Sequence, residues 1–268
     1  MKKIMLDEMT WHEIEQVLTQ PVVVLVPTGS TEQHGLHLPI NVDSRCTTYI
    51  SQQAAIKANK RKIRVLVAPT IHYTSIPVFR DFPGTIGPPT DTVVALFEGI
   101  ARSFIKNGFS NIVFINGHFP NSSPLTTALW TVCLDFPKAG LYALNWWDLG
   151  SSTIQAERQS SCMFHAEELE TSVSLVIQPE NVNMEFAKKD FPTFSVSKKW
   201  VFPDFFAPQK LFFHSRVKLP NRARGSSGVM GDATVASAKS GEKFLSAIIS
   251  DLVELLVEIV ESEGKVEL

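Results

Sequence analysis

Apolar residues along this chain fall into two alternating patterns. Short solid runs read as buried strands: Val22 to Val26, Val65 to Ile71, Asn111 to Ile115, and Leu141 to Trp147. Between them lie segments with helical spacing. Thr10 and Glu13 form a capping-box start for a first helix up to Leu18. Further helices are predicted over Ser44 to Lys60, Asp91 to Lys106 (stopped by Gly108), Ser122 to Leu134, His165 to Ile177, and Ala233 to Glu261. Ile76 to Pro89 is dense in Pro and Gly and reads as an irregular loop at a strand end. Strand and helix alternate four times, which predicts an α/β fold, a three-layer α/β/α domain with a mostly parallel sheet. No linker divides the chain, so residues 1–268 are read as a single domain.

Composition narrows the function classes. Hydrophobic residues make up 44 %, enough for a substantial core. A net charge of −2 with no basic stripe argues against nucleic acid. Cys46, Cys133 and Cys162 are scattered and form no CxxC pair. The amino terminus has no signal-like apolar segment, and no run is long enough to span a membrane. A cytoplasmic enzyme acting on a small molecule is the expectation.

In such sheets ligands bind beyond the carboxyl ends of the strands. Two polar clusters sit there. Glu32, His34, His37 and Asp43 follow the first strand, and His118, in Asn116-Gly-His-Phe-Pro-Asn121, follows the third. Carboxylate and imidazole are donors for a divalent metal. Glu32 and His34 are two residues apart, so in extended chain they share a face. Glu32, His34, Asp43 and His118 are the candidate ligands, with Asp43 placed to bridge two ions. The bland alternative is a polar loop whose carboxylates cap the next helix.

Five stretches, in order, resemble signatures of the creatininase family. They are Gly29 to Asp43, Phe82-Pro-Gly-Thr85, Asn116 to Asn121, His165-Ala-Glu-Glu-Leu-Glu-Thr-Ser172, and Gly228-Val-Met-Gly-Asp-Ala-Thr234 with Gly241. The resemblance implies a homohexamer with two divalent metals per chain, Zn2+ or Mn2+ with Fe2+ as a further candidate, held by Glu32, His34, Asp43 and His118. It also implies amide hydrolysis, with His165 donating a proton to the departing nitrogen. His37 is read as orienting a ligand.

Two departures stand out. Creatininase proper carries Glu two residues after the motif His, where this chain has Pro120. On a helix starting at His165, Glu168 lies about 60° away and shares its face. Glu168 is therefore predicted to replace the missing carboxylate, and Glu170, about 160° from Glu168, is predicted to be structural. The family's Trp-Asp-x-Glu-His segment is here Ser161-Cys-Met-Phe-His165, and a Glu-His pair of many relatives is Val78-Phe79. Trp147 resembles a separate active-site Trp. The expectation is a dinuclear amidohydrolase cleaving a small cyclic amide other than creatinine. A formamide deformylase, a cyclic keto-sugar hydrolase and a non-catalytic metal-stabilised oligomer are the alternatives. The aromatics of Phe191 to Arg224 are expected at a subunit interface.

Overall fold

The computed structural model describes residues 3–194, 196–197, 200, 204–207, 217–218, 221–222 and 225–262. Four parallel strands form the central sheet: β1 (Val23–Thr28), β2 (Val65–Val67), β3 (Asn111–Asn116) and β4 (Gly140–Asn145), in the order β2-β1-β3-β4. The second strand is shorter than expected because Pro69 lacks the N–H a ladder needs.

Alternate residues on these strands face opposite layers. Val23, Leu25, Val65, Val67, Val113 and Ile115 pack against the layer containing α2 (Val42–Lys60), α6 (Glu168–Ile177) and α7 (Ala238–Ser262). Val24, Val26, Leu66, Ile112 and Phe114 pack against α3 (Thr90–Lys106) and α4 (Ser122–Asp135). Each strand of the pair β1–β3 is buried on both sides, which is why its sequence is solidly apolar. The amino-terminal helix α1 (Trp11–Val17) joins the second layer through Ile14 and Val17, and its capping box is present.

Three features differ from the sequence reading. A short helix, α5 (Ser151–Glu157), follows the fourth strand. A small antiparallel sheet joins β5 (Met163–His165), β6 (Lys189–Asp190) and β9 (Met230–Asp232), with β7 (Thr193–Phe194) and β8 (Val217–Lys218) paired separately. His165 therefore ends a strand, and helix α6 starts at Glu168. Between them Ala166 adopts φ 51°, and the Glu167 side chain caps the helix by accepting from the N–H groups of Leu169 and Glu170.

Trp200, Phe205 and Phe206 are described, whereas Phe202, Phe212 and Phe213 lie outside the described residues. No helix among the described residues is long and apolar enough to cross a membrane.

Candidate metal centre

Two glycines let the strand ends close on the first turn of α2. A Cβ at Gly29 would sit 2.3 Å from the Ser44 nitrogen, and one at Gly117 would sit 2.5 Å from the Asp43 carbonyl oxygen. Only glycine permits this approach. It brings Ser30, after β1, to donate to Asp43 Oδ2 at 2.6 Å, and His118, after β3, to within 3.1 Å of the same carboxylate.

The rest of each motif braces that junction. Asn116 Oδ1 accepts from the His118 N–H, and Asn121 Nδ2 donates to the Gly29 carbonyl. Thr85, from the Phe-Pro-Gly-Thr loop, accepts from the Gln33 N–H. Thr171 lies 2.8 Å from His37 Nε2, and Ser172 accepts from the N–H of Ser237. His37 thus touches the residue beside Glu170 instead of the cluster itself.

The cluster is buried. Glu32, His34, Asp43, His118, His165 and Glu170 are each at most 8 % exposed. Its three imidazoles share one arrangement. His34 Nδ1 faces the Glu32 carbonyl at 3.0 Å, His118 Nε2 the Ser75 carbonyl at 3.0 Å, and His165 Nε2 the Gln33 carbonyl at 2.9 Å. Each carbonyl fixes the ring N–H on that side, so each lone pair is turned to a carboxylate. His34 Nε2 lies 2.9 Å from Asp43 Oδ1 and 3.7 Å from Glu170 Oε2. His118 Nδ1 lies 3.1 Å from Asp43 Oδ2, and His165 Nδ1 lies 3.7 Å from Glu32 Oε1. A lone pair facing a carboxylate is repulsive unless a proton or a cation lies between them.

The electrostatics agree. Burial pushes the Glu32 carboxyl up to about 7 against the pull of His118, and burial likewise lifts Glu170 to about 7 against His34. Burial opposes charge on His34, yet Asp43 and Glu170 outweigh it and hold that imidazole at about 10. Burial works against the Asp43 charge too, but His34 and His118 hold it well below the usual carboxylate range. Protons thus fill the room a cation would take. Glu32 Oε2 and His34 Nε2 are buried without an aligned hydrogen-bond partner, as ligand atoms would be. The donor set suits divalent metal. Asp43 lies between two of the imidazoles, its Oδ2 facing His118 Nδ1 and its Oδ1 facing His34 Nε2, while Glu32 Oε2 lies 3.7 Å from His118 Nε2. Ligand atoms of His34, His165 and Glu170 also lie within 4.8 Å of one another.

Glu168 is not in this cluster. Its carboxylate accepts from the Gln159 N–H (2.8 and 3.0 Å) and the Ser160 N–H (2.5 Å). Helix α6 starts three residues later than the helical spacing predicts, at Glu168 instead of His165. With Ala166 in the left-handed region, Glu170 is the side chain that swings inward, where its Oε2 accepts from the Ala166 N–H at 2.5 Å. No sequence period signals that reversal; the Ala/Gly choice after the motif His was the available hint, since glycine favours φ > 0.

Comparison with known proteins follows the same lines. The family model described as creatinine amidohydrolase matches residues 7–256. The mycofactocin precursor peptide peptidase of Mycobacterium tuberculosis is 29 % identical over 88 % of this chain and 84 % of its own length. The creatinine amidohydrolase of Pseudomonas putida is 24 % identical over 96 % and 97 %, and the 3-dehydro-scyllo-inosose hydrolase of Thermotoga maritima 25 % identical over 94 % and 82 %. Among solved structures, a Mn creatininase superposes with a TM-score of 0.79 at 24 % identity, over 96 % of this chain and 99 % of the other. A creatininase mutant of Zn-Zn type superposes with a TM-score of 0.78 at 24 % identity, over 97 % and 99 %. With a three-layer fold, this buried donor cluster and a family match across nearly the whole chain, the protein belongs to the creatininase family.

Proposed function

We propose that the protein is a metal-dependent amidohydrolase that cleaves a C–N amide bond using two divalent cations, Zn2+ or Mn2+. One observation carries this reading: three buried imidazoles give their N–H to main-chain carbonyls and turn their lone pairs onto carboxylates. Glu32, Asp43 and His118 would hold one cation and His34, Asp43 and Glu170 the other, with Asp43 as the bridge. Cations held there supply a Lewis acid for the substrate carbonyl and lower the pKa of a water towards ~7.

The chain's own groups do the rest. Burial, reinforced by the neighbouring His34, holds His165 well below the ordinary imidazole range, so the ring is neutral and at Nδ1 would carry a proton of the attacking water only in passing. The same nitrogen then returns that proton to the departing amine nitrogen. The Gln33 carbonyl, accepting from Nε2, favours that tautomer, and the Gln33 side-chain amide, 3.0 Å from the same nitrogen, donates to the Gly228 carbonyl. Phe79 stacks flat on the ring at 4.5 Å and excludes water from its face.

A small cyclic amide other than creatinine is the first substrate class to screen. A linear peptide amide is the second, favoured by the peptidase among the relatives. Exposed Trp11, Trp130 and Leu134 support a homo-oligomer, a hexamer in our reading, which light scattering checks. The decisive test is metal content with turnover. We expect two equivalents per chain and loss of both metal and hydrolysis in Asp43→Asn. Fewer than two equivalents, or unchanged turnover in that variant, refutes the dinuclear mechanism, and efficient creatinine hydrolysis refutes the substrate reading.

A further inference from the structure

Beside the buried donors runs a band of aromatic rings, of which the proposed hydrolytic chemistry uses Phe79 alone; Phe82 and Phe164 pack against the cluster that holds it. Phe79 lies on His165 and meets Phe82 edge-on at 6.0 Å. Phe164 immediately precedes His165, and Phe119 immediately follows His118; their rings are 5.8 Å apart. Phe205 completes the band at 5.2 Å from Phe164 and 6.1 Å from Phe119, and it stacks on Trp147 at 4.6 Å.

This band is preformed. The Phe205 N–H donates to the Met163 carbonyl, and the preceding Asp204 is clamped by both terminal nitrogens of Arg158. It is also open: Phe119 keeps 54 % of its surface exposed next to a cluster that is almost entirely buried, and Phe82, Phe164 and Phe205 are half-buried. Five phenyl rings offer no hydrogen bond, so they cannot read a small polar heterocycle. They can hold an apolar group by area and by ring packing.

We propose that the substrate is an amide bearing an apolar, ring-containing substituent next to the scissile bond, seated on Phe119, Phe164 and Phe205 while the carbonyl lies at the donor cluster. The inference rests on the metal-dependent reading above and adds the substrate class to it.

The test is calorimetric titration of benzohydroxamate and acetohydroxamate, a matched pair of metal-binding probes, into the full chain with and without Zn2+ or Mn2+. In the loaded protein the phenyl probe should bind at least about tenfold tighter than the methyl probe. Phe119→Ala, at an exposed ring, should bring that ratio towards one with metal content unchanged, and Phe164→Ala should do the same. A ratio near one in the unsubstituted loaded protein overturns the inference and assigns the rings to contact with a second copy of the chain. If the protein binds no metal, the proposed function fails instead. The same pair in metal-free protein then decides the inference: phenyl preference supports it, and equal or absent binding overturns it.

Discussion

Glu168 and Glu170 are two residues apart on one helix, yet isosteric changes to them should fail in opposite ways. Glu170→Gln removes a charge from the half-site at His34 Nε2, 3.7 Å away. Its carboxyl already rises to about 7 when only burial and neighbouring charges act, so the neutral amide should sit there at little cost to the metal-free fold. Metal affinity should instead fall by more than the roughly 10–100-fold typical of losing an outer-shell partner, with at least one equivalent lost on dialysis. Glu168→Gln should leave metal content unchanged. Both backbone N–H donors reach Oε2, and the Gln159 N–H also lies 3.0 Å from Oε1, so an amide with its oxygen at the Oε2 position turns its NH2 against that N–H and gives up the charge. Weakening these charge-assisted hydrogen bonds costs about 1–3 kcal/mol. In a chain of this size that corresponds to a fall in Tm of about 2–12 °C, since 1 kcal/mol shifts Tm by roughly 2–4 °C. Elemental analysis and thermal melts of both variants, loaded and metal-free, measure each effect separately. If Glu168→Gln strips metal while Glu170→Gln retains two equivalents, the assignment of the cluster is wrong.

Three further outcomes are expected. His165→Asn should keep two metal equivalents and lose turnover by about 100-fold or more, as removal of a general acid–base group does; loss of metal would make His165 a ligand instead. Ala166→Gly should be neutral or stabilise by about 1 kcal/mol because φ 51° suits glycine, whereas Ala166→Val should destabilise and deplete metal, both read by urea denaturation with metal analysis. Glu13 is held at about 2 by the Thr10 N–H and by Lys3. A carboxyl lowered when folded contributes stability that is present above its unfolded value of about 4.5 and lost as pH falls through about 2. Glu13→Gln should therefore flatten the acid limb of the stability curve between those values, and an unchanged limb would show that the capping box contributes nothing there.

Much of this protein was legible in its order of residues. Solid apolar runs marked the central strands because both faces of β1 and β3 are buried, and helical spacing marked the covering layers. The motif residues Glu32, His34, Asp43 and His118 converge because each follows a strand end or opens α2, and parallel strands deliver their carboxyl ends to one edge. What the pattern did not carry was the geometry between His165 and Glu170. A single left-handed residue, Ala166, and three residues of strand pairing with β9 decided which glutamate faces the cluster. Residue spacing reports a helix only while the helix is regular. Where long-range pairing resets the backbone, as it does just before α6, the direction of a side chain is set by contacts 65 to 68 residues away in sequence and becomes visible only in the folded chain.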